Sequence, residues 1–462
     1  MNNTTAFSSL PLREELLNNL DFLGYSSMMP VQAQSLAHIL NYEDLIAQAK
    51  TGSGKTAAFG FGLLNRLNIE SYIIQSLVLC PTRELAEQLC KALRQFARLM
   101  PNIKILNLSG GIPIKIQLDS LKHSPHIIVG TPGQVLKHLE KMTISLDKLQ
   151  TLVLDEADRM LDMGFFEAIN EIIKYCPRKR QTLLFSATYP DEIKDISRKF
   201  MRDPKVVVVK DDVEQLDIQQ IFYDAKNKRN KFSLLKNILL HYQPSSSIIF
   251  CNTKEQTTQL CDDLINEGFS AIALNGDMEQ VARDVAIIRF KNQSCSILVA
   301  TDVAARGLDI KDLPAVINFD LAFDHEVHIH RIGRTGRAGS KGLAISLTTP
   351  ADVDRIELIE DGLMGNMMWG DVSELDADNT RPTYPEMITL RLNIGRKNKI
   401  RPGDILGALT KDAGIVGDLI GKIDITPLYS YVAIHNKEAS AAIKYFSNGK
   451  VKGYKVHVKR LS

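Results

Sequence analysis

The sequence lacks most of the features that mark membrane-bound, secreted or disulfide-rich proteins. No apolar run approaches the length needed to cross a bilayer, and the first five residues, Met-Asn-Asn-Thr-Thr, lack the basic and apolar segments of a signal peptide. The six cysteines include no C-x-x-C pair, so a cysteine-based metal site is not expected. We therefore predict a cytoplasmic protein whose thiols are reduced and mostly act as small core side chains.

A strong net charge is also missing, but the charge is distributed unevenly. The chain has 56 Lys and Arg against 54 Asp and Glu. Residues 387–462 hold 14 of the basic residues and only five of the acidic ones. A small basic segment on a mildly acidic body is typical of a tail that binds a polyanion, most commonly nucleic acid. A solvated lysine surface without a partner is the alternative.

The length of 462 residues and a hydrophobic content of 44% predict two or three compact domains. Strand-length apolar runs alternate with helical stretches between residues 55 and 207 and again after residue 214, which predicts two α/β domains with parallel sheets. The last 76 residues follow the order strand, helix, strand, strand, helix, strand, which is the split βαβ layout of RNA-recognition modules. The predicted domains are residues 1–209, 210–365 and 387–462, joined by a linker at 366–386. No strand is predicted between residues 351 and 386, and the last strand of the tail is predicted at residues 454–458.

The densest chemical signal lies at residues 49–56, Ala-Lys-Thr-Gly-Ser-Gly-Lys-Thr, between a strand-like run and a helical one. Gly52 and Gly54 can adopt backbone angles that turn successive N–H groups onto phosphate oxygens. Lys55 would place a positive charge at the β- and γ-phosphates, and the Thr56 hydroxyl would be a Mg²⁺ ligand. A glycine-rich turn that binds nothing is the alternative, but the strand, loop and helix context favours a phosphate-binding loop. The ATP-binding residues expected here are Thr51, Gly52, Ser53, Gly54, Lys55 and Thr56.

A second chemical signal is the pair of carboxylates that follows the apolar run Leu152-Val153-Leu154. An ATPase needs such a strand end opposite its phosphate loop, with Asp155 binding hydrated Mg²⁺ and Glu156 orienting or deprotonating the attacking water. Acidic residues after a strand can also form a simple helix N-cap. Their position about one hundred residues after the phosphate loop favours the catalytic interpretation.

Residues 49–56 together with Asp155-Glu156-Ala157-Asp158 resemble the DEAD-box RNA helicases, and further motifs of that family follow over residues 7 to about 340. The resemblance implies an α/β fold with two tandem RecA-like parallel-sheet domains, followed here by a small C-terminal α+β domain of the RRM-like type. It also implies an RNA-dependent ATPase that uses ATP and Mg²⁺. Phe7, Tyr25 and Gln32 look like the family's adenine-reading motif, since a glutamine amide can pair with adenine and an aromatic ring can stack on the base.

Other family motifs imply roles in RNA binding and in its coupling to ATP. RNA-backbone contacts in the core are expected from Pro81, Thr82, Arg83, Gly111, Thr131, Gly133, Arg283 and Thr301. Coupling of ATP to RNA is expected from Ser186, Thr188 and His330. One departure is Gln134, where the family usually has arginine, and it affects one expected contact with the RNA backbone.

Three residues of the second domain are expected to serve the nucleotide. By the same resemblance, Arg334 and Arg337 are arginine fingers that meet the charge developing on the γ-phosphate, and Asp309 meets the ribose. The second domain would bring those cations only when RNA and ATP have closed the cleft. A surface ion pair is the alternative role for such arginines.

The tail resembles the C-terminal RNA-binding domain of a bacterial branch of the same family that acts in ribosome assembly. Residues 399–409, 420–423 and 450–453 carry this resemblance. It implies recognition of a hairpin in large-subunit ribosomal RNA and action on pre-ribosomal particles. The first strand has no aromatic residue to stack a base, and Tyr429 and Tyr431 could equally be packing residues. RNA contacts are therefore expected from basic loops at Arg396, Lys397, Lys399, Lys452 and Lys455.

Three functions from different classes are compatible with these residues. The first is an RNA-dependent ATPase that remodels ribosomal RNA, working as a monomer as the family usually does. The second is an ATP-gated RNA clamp, and the third is a DNA helicase. The basic tail and the RNA-type motifs favour the first over the third.

Overall fold

A computed structural model of the protein describes most of the chain. The described residues are 5–49, 52–189, 191–209, 218–305, 308, 310, 312–323, 325–336, 341–362, 367–376 and 381–461. The chain divides into two compact units, Met1–Glu214 and Gln215–Ser462. Within the described ranges, no helix combines the length and the apolarity that a membrane span requires.

The first unit is a seven-stranded parallel sheet with helices on both faces. Its strands are β1 (Leu45–Gln48), β2 (Ser76–Leu79), β3 (Ile105–Leu108), β4 (Ile127–Gly130), β5 (Thr151–Asp155), β6 (Gln181–Ser186) and β7 (Lys205–Val208). Its helices are α1 (Glu14–Leu23), α2 (Pro30–Leu40), α3 (Lys55–Arg66), α4 (Arg83–Phe96), α5 (Ile114–Leu121), α6 (Pro132–Glu140), α7 (Ala157–Asp162), α8 (Phe166–Lys174) and α9 (Asp191–Phe200). The strand order is β3-β4-β2-β5-β6-β1-β7, and every pair is parallel. The loops that follow these strands therefore lie along one edge of the sheet.

Both faces of this sheet are buried, which explains why its central strands read as continuous apolar runs. Leu45 and Ala47 of β1 lie in one core cluster, while Ile46 lies in the other. This division follows from the alternation of side chains along a strand. Every residue of β2 and of β4 is buried. Because each buried Leu, Ile or Val side chain contributes about 1.5–3 kcal/mol, the loop-bearing edge rests on a stable support.

The second unit begins with another seven-stranded parallel sheet. Its strands are β8 (Ile218–Asp224), β9 (Ser247–Cys251), β10 (Ala271–Leu274), β11 (Ile297–Thr301), β12 (Ala315–Asn318), β13 (Gly342–Thr348) and β14 (Met368–Trp369). Its helices are α10 (Lys231–Tyr242), α11 (Lys254–Asn266), α12 (Gln280–Lys291), α13 (Asp302–Ala305), α14 (His325–Ile332) and α15 (Val353–Gly362). The order is β10-β11-β9-β12-β13-β8-β14, with parallel pairing throughout. The two predicted α/β sheets are thus both present.

Two strands of the second sheet do not follow the expected pattern. β8 carries two glutamines among its first three residues, so the apolar run that would reveal it is short. β14 lies in the stretch predicted to be a linker, where it pairs with β8, and Trp369 packs on Phe222 with ring centroids 5.9 Å apart. A strand of two residues has no periodicity to detect, which is why the sequence pattern did not indicate it.

The C-terminal domain is a four-stranded antiparallel sheet with two helices on one face. The strands of this sheet are β15 (Met387–Leu392), β16 (Ile420–Ile425), β17 (Ser430–His435) and β20 (Val458–Leu461), and the helices are α16 (Pro402–Gly407) and α17 (Ala439–Asn448). Two further strands, β18 (Lys450–Val451) and β19 (Tyr454–Lys455), form a separate two-stranded sheet. The sheet order is β16-β17-β15-β20. Ile388, Leu390 and Leu392 of β15 share a core cluster with Phe446 of α17. This is the predicted split βαβ layout.

The end of this domain differs from the sequence expectation. Lys452 and Gly453 have φ angles of 51° and 82°, so the chain reverses there and β19 pairs with β18. Such two-residue turns with positive φ at both positions favour tight hairpins. The last strand of the main sheet is consequently Val458–Leu461 rather than residues 454–458.

His328 on α14 is a buried histidine without a charged partner. Its ring is 1% exposed and its Nε2 lies 3.2 Å from Oε1 of Gln220. The Nδ1 atom has no hydrogen-bond partner among the described residues. Burial, together with the charge of Arg331, lowers the pKa of His328 to about 4. The imidazole is therefore neutral in the folded protein at neutral pH.

The pKa of His328 predicts a loss of stability at mildly acidic pH. Between pH 7 and pH 5 this group alone is expected to lower the free energy of unfolding by about 2 kcal/mol, because the unfolded chain binds a proton near pH 6.5 and the folded ring does not. The contribution is complete above that pH and is lost as the pH falls toward the folded pKa of about 4. Urea unfolding followed by the fluorescence of Trp369, the sole tryptophan, would measure it. A His328→Gln variant with an unchanged pH dependence would contradict the assignment.

Candidate nucleotide and nucleic-acid site

The carboxyl edge of the first sheet brings together the motif loops of this unit. β1, β6 and β5 are neighbours, so the phosphate loop, Ser186 and Asp155 come at the ends of adjacent strands. β2, β4 and β3 are neighbours on the other side, and they precede Thr82, Thr131 and Gly110. β5 also pairs with β2. The loops predicted to bind the nucleotide and the loops predicted to bind RNA therefore lie on two halves of one edge, which meet at the β5-β2 pair.

The phosphate loop has the backbone geometry expected from its glycines. Gly52 and Gly54 both have a φ of 91°, in the left-handed region that favours glycine. Lys55 is 7% exposed, and its Nζ donates to the carbonyl of Ala49 at 2.8 Å. A Cβ added at Gly54 would collide with Nε2 of Gln32. The loop is thus compact and leaves no room for a side chain at Gly54.

The predicted adenine-reading residues lie beside this loop. Gln32 is fully buried, its Nε2 donates to the Gly54 carbonyl at 3.1 Å and its Oε1 accepts from the backbone N–H of Met29 at 2.9 Å. Phe7 is 3% exposed and packs edge-on against Tyr25, with ring centroids 5.9 Å apart. Stacking of a base on Phe7 would require this ring to be uncovered. The roles of the three residues toward adenine stay predictions.

Asp155 and Glu156 end β5 in a buried, charged environment. The two residues are 3% and 6% exposed. Burial raises the pKa of Asp155 to about 7, although the charge of Lys55 opposes the rise. A bound divalent cation would favour the ionised form of such a carboxylate, so Asp155 suits the role of metal ligand. No cluster of three or more metal-ligating side chains occurs in the described residues, and Mg²⁺ commonly needs only one or two carboxylates besides phosphate oxygens and water.

Arg159 fixes the orientation of Glu156, a contact that the sequence did not indicate. Its Nη1 donates to Oε2 of Glu156 at 2.9 Å, and both side chains are less than 10% exposed. Glu156 itself has a φ of 53°, in the left-handed region. The i to i+3 spacing of the two residues was the available signal. The carboxylate is held at the end of β5 by a charge-assisted hydrogen bond.

Asp158 links the carboxylate motif to the predicted coupling residues. Its Oδ2 accepts from the N–H of Ala187 at 3.0 Å and from the N–H and hydroxyl of Thr188 at 3.0 and 3.2 Å. Its own N–H donates to Oγ of Ser186 at 3.2 Å. Burial raises the pKa of Asp158, but hydrogen bonds from the backbone of Thr188 and Arg159 outweigh burial, and the net shift is downward. The ionised carboxylate therefore holds the Ser186 to Thr188 loop.

The predicted RNA-backbone loops of the first unit lie next to one another. A Cβ added at Gly110 would be 2.7 Å from Nη2 of Arg83, so the guanidinium lies directly against the glycine pair. Thr82 caps α4 by accepting from the N–H of Leu85 at 3.2 Å, and Thr131 is the N-cap residue of α6. The amide of the half-buried Gln134 donates to the buried side chain of Gln117 at 2.8 Å. Contact of these loops with RNA stays a prediction.

Arg331 is the centre of a buried polar network in the second unit. It is 1% exposed, and its Nε and Nη2 donate to the two carboxylate oxygens of Asp302, each at 2.7 Å. Further donations reach Oδ1 of Asn252 at 2.9 Å, Oδ1 of Asn318 at 3.2 Å and the carbonyl of Asp320 at 2.6 Å. The network ties α14 to the carboxyl ends of β9, β11 and β12. Sequence reasoning did not assign Arg331 a role, although it lies between His330 and Arg334.

The other predicted residues of the second unit are located as follows. Thr301 is buried at the end of β11, Arg283 lies on α12 and His330 lies on α14. Nη1 of Arg334 donates to the carbonyls of Leu308 and Ile310 at 2.6 and 3.4 Å. Arg337 and Asp309, like Thr51 of the phosphate loop, lie outside the described residues. The roles predicted for these residues stay predictions.

The two predicted basic loops of the C-terminal domain are adjacent. Nζ of Lys452 donates to the carbonyl of Lys399 at 2.8 Å and pairs with Oδ2 of Asp404 at 3.2 Å. Arg396, Lys397 and Lys455 are exposed on the same loops. Residues 396–399 and 450–455 together form what we call the basic loop pair.

The sheet face of this domain that points away from its helices is buried around Thr389 and Tyr431. Thr389 of β15 is fully buried, its Oγ1 lies 2.6 Å from Oγ of Ser294, and it accepts from Nδ2 of Asn292 at 3.3 Å. Tyr431 is 2% exposed, and Arg391 lies 4.9 Å above the ring of Tyr429. RNA-recognition modules commonly stack bases on this face. Tyr431 is a packing residue here, which favours the basic loop pair for RNA contact.

Comparison with known proteins identifies the class. Residues 29–196 match the DEAD/DEAH box helicase family, and residues 230–339 match the helicase conserved C-terminal domain. A solved structure of S. cerevisiae Dbp5 bound to RNA and ADP BeF3 is 31% identical, with a TM-score of 0.73 over 80% of this chain and 96% of that chain. The chain belongs to the DEAD-box ATP-dependent RNA helicases, which are RNA-dependent ATPases.

The relatives define the type within this family. Residues 389–460 match the DbpA RNA binding domain. The chain is 51% identical to the ATP-dependent RNA helicase DbpA of Escherichia coli strain K12, over 99% of this chain and 100% of the relative. It is 38% identical to the DbpA of Bacillus subtilis strain 168, over 98% and 99%. The predicted fold class, family and enzyme class are thereby confirmed.

Proposed function

We propose that this RNA helicase is directed by its C-terminal domain to a hairpin of large-subunit ribosomal RNA, and that it unwinds short neighbouring duplexes during assembly of the large subunit. The observation that carries the proposal is the basic loop pair on a DbpA-type domain whose sheet face is buried around Thr389 and Tyr431. Exposed lysines and arginines on loops bind phosphates and irregular RNA. The proposal includes pre-ribosomal particles as partners, a cytoplasmic location and a monomer as the working form.

The proposed ATP chemistry uses the residues at the carboxyl edge of the first sheet. Lys55 neutralises the β- and γ-phosphates, Thr56 and Asp155 hold Mg²⁺, and Glu156 orients the attacking water. Mg²⁺ supplies charge neutralisation on the phosphate oxygens when it is bound. Gln32 reads adenine, and Arg334 and Arg337 supply positive charge in the hydrolysis step.

A charge-reversal experiment on the full chain tests the targeting. A Lys397→Glu and Lys455→Glu double variant is expected to raise the concentration of large-subunit ribosomal RNA needed for half-maximal ATPase stimulation about tenfold or more, because phosphate contacts become repulsive. The matched control is Lys444→Glu, which reverses one exposed charge on α17, outside the basic loop pair. In the double variant and in Lys444→Glu, the concentration of an unrelated single-stranded RNA needed for half-maximal stimulation should change less than the concentration of ribosomal RNA changes in the double variant.

Two results would count against the proposal. Equal stimulation of the unmodified chain's ATPase by ribosomal and unrelated RNA would contradict the proposed targeting to ribosomal RNA. A failure to separate a short duplex placed next to the ribosomal hairpin, despite normal ATPase stimulation, would favour the ATP-gated clamp over the remodelling helicase.

A further inference from the structure

Helix α5 is attached to the first unit in an unusual way. Of its eight residues, Gln117 is the buried one, at 2% exposure, while Ile114, Ile116 and Leu118 are each at least 40% exposed. A surface helix normally buries its apolar side chains and exposes its polar ones. Apart from Leu121 at its end, which packs against the core, the helix is anchored by this amide, so the hydrogen bonds of Gln117 help to decide where α5 and the loop before it lie.

Those hydrogen bonds join two loops. Nε2 of Gln117 donates to the carbonyl of Ser109 at 2.8 Å, immediately before the glycine pair Gly110-Gly111. Its Oε1 accepts from Nε2 of Gln134 at 2.8 Å and lies 2.8 Å from Nε2 of His138. Gln134 and His138 lie one turn apart on α6, the helix that begins at Pro132, within the Thr131 to Gly133 loop. One side chain thus connects both predicted RNA-backbone loops.

His138 completes the arrangement because both of its ring nitrogens lie within hydrogen-bond distance of a side chain. Nδ1 lies 2.8 Å from Oγ1 of Thr143, whose hydroxyl is also 3.0 Å from the His138 carbonyl. Burial and the charge of Lys141 lower the pKa of His138, so the ring is neutral. Because the amide oxygen of Gln117 can only accept, the neutral ring carries its proton on Nε2 and donates it to Gln117, which leaves Nδ1 as an acceptor facing the Thr143 hydroxyl. The Gln117 oxygen therefore receives two donors from α6.

The identity of residue 134 fits this arrangement. The family resemblance predicts arginine there, which would reach toward the RNA backbone. The glutamine instead turns its amide inward to Gln117, and it is half-buried. The polar group at this position is therefore used between two protein loops.

We propose that Gln117, Gln134 and His138 are positioning residues that set the distance between the Ser109 to Gly111 and Thr131 to Gly133 loops, and thereby set RNA affinity without touching RNA. This inference rests on the proposed use of those loops for RNA contact. Phosphates along an RNA strand are evenly spaced, so two loops bind neighbouring phosphates well only at a fixed separation. The side chain of Gln117 is too deeply buried to reach RNA itself.

The test measures RNA-stimulated ATP hydrolysis with large-subunit ribosomal RNA at saturating ATP. Gln117→Met and Gln134→Met keep the side-chain length and remove the amide. Each is expected to raise the RNA concentration for half-maximal stimulation about five- to tenfold, with kcat at saturating RNA unchanged. Melting temperature is recorded for every variant.

The matched control is Gln75→Met. Gln75 is 1% exposed and makes three backbone hydrogen bonds, with Asn68 and Ser71, just before β2. It lies at the opposite, amino edge of the same sheet. Its replacement should lower the melting temperature as Gln117→Met does, yet leave the RNA concentration dependence unchanged.

The outcomes separate the inference from the proposed function. If the RNA concentration for half-maximal stimulation rises for both Gln117→Met and Gln134→Met but not for Gln75→Met, the positioning role is supported. If this concentration rises for Gln134→Met alone, Gln134 touches RNA itself. If it rises equally for Gln75→Met, the cause is general destabilisation. Either result overturns the positioning role. Arg83→Ala serves as the reference. If it raises the RNA concentration for half-maximal stimulation while Gln117→Met does not, only the positioning role is contradicted. If Arg83→Ala has no effect, the predicted core RNA contacts fail as well.

Discussion

Replacing Glu156 by glutamine is expected to lower kcat for RNA-stimulated ATP hydrolysis about 10²- to 10³-fold, while ATP and RNA still bind. The amide has the size of the carboxylate but cannot accept a proton from the attacking water. Because Asp155, Lys55 and the phosphate loop are untouched, the KM for ATP should change little. Steady-state ATPase kinetics and binding of a fluorescent ATP analogue would separate the two effects.

The control for this variant has to address the ion pair with Arg159. Loss of the Glu156 charge leaves the Arg159 guanidinium, 6% exposed, without its counter-ion, so a modest loss of stability is expected. Glu171→Gln makes the same chemical change on the surface, where Glu171 pairs with Lys174 at 2.5 Å and both are largely exposed. It should leave kcat unchanged. If the Glu156→Gln enzyme has a near-normal kcat and a normal melting temperature, Glu156 does not take part in ATP hydrolysis.

Replacing Arg331 by methionine is expected to lower the free energy of unfolding of the second unit by about 3–5 kcal/mol. The substitution removes five donations at once and leaves Asp302, Asn252 and Asn318 with unmatched polar atoms in a largely buried site. Urea unfolding followed by Trp369 fluorescence reports on this unit, because the chain has one tryptophan and it packs on Phe222. ATPase activity should fall with the folded fraction.

Arg355→Met is the matched control for Arg331. Arg355 pairs with Asp352 at 3.5 Å and its side chain is 37% exposed. Loss of such a partly solvated pair should cost about 1 kcal/mol or less. Similar losses for the two variants would show that the buried network contributes no more than a surface ion pair.

The sequence predicted strands best where the whole strand is buried and its residues are mostly apolar. β2 coincides with a strand-length apolar run, because every one of its residues is buried. β8 and β14 were not predicted, since glutamines interrupt the first and the second has only two residues. The hairpin at Lys452 and Gly453 also escaped prediction, because a lysine in a left-handed turn is set by the tertiary structure.

The site divides in a similar way. Asp155 ends an apolar run, so its place at the carboxyl edge could be predicted from the sequence pattern, whereas Thr131 was predicted only from the family resemblance. The contacts of Gln117 with α6 and of Arg331 with Asn318 could not be predicted. They join segments that are distant in sequence, and no local pattern encodes such a pairing.

The pairing of β5 with β2 has a mechanical consequence. Leu154 and Leu79 are partners in that ladder, so the strand ends that lead to the carboxylate motif and to the Thr82 loop are laterally hydrogen-bonded. A twisted parallel sheet with helices on both faces is stiff, and its strands cannot slide past one another without breaking the ladder. The two halves of the edge must therefore move together as one rigid unit. A ligand bound to one half consequently lies at a fixed angle to the other half.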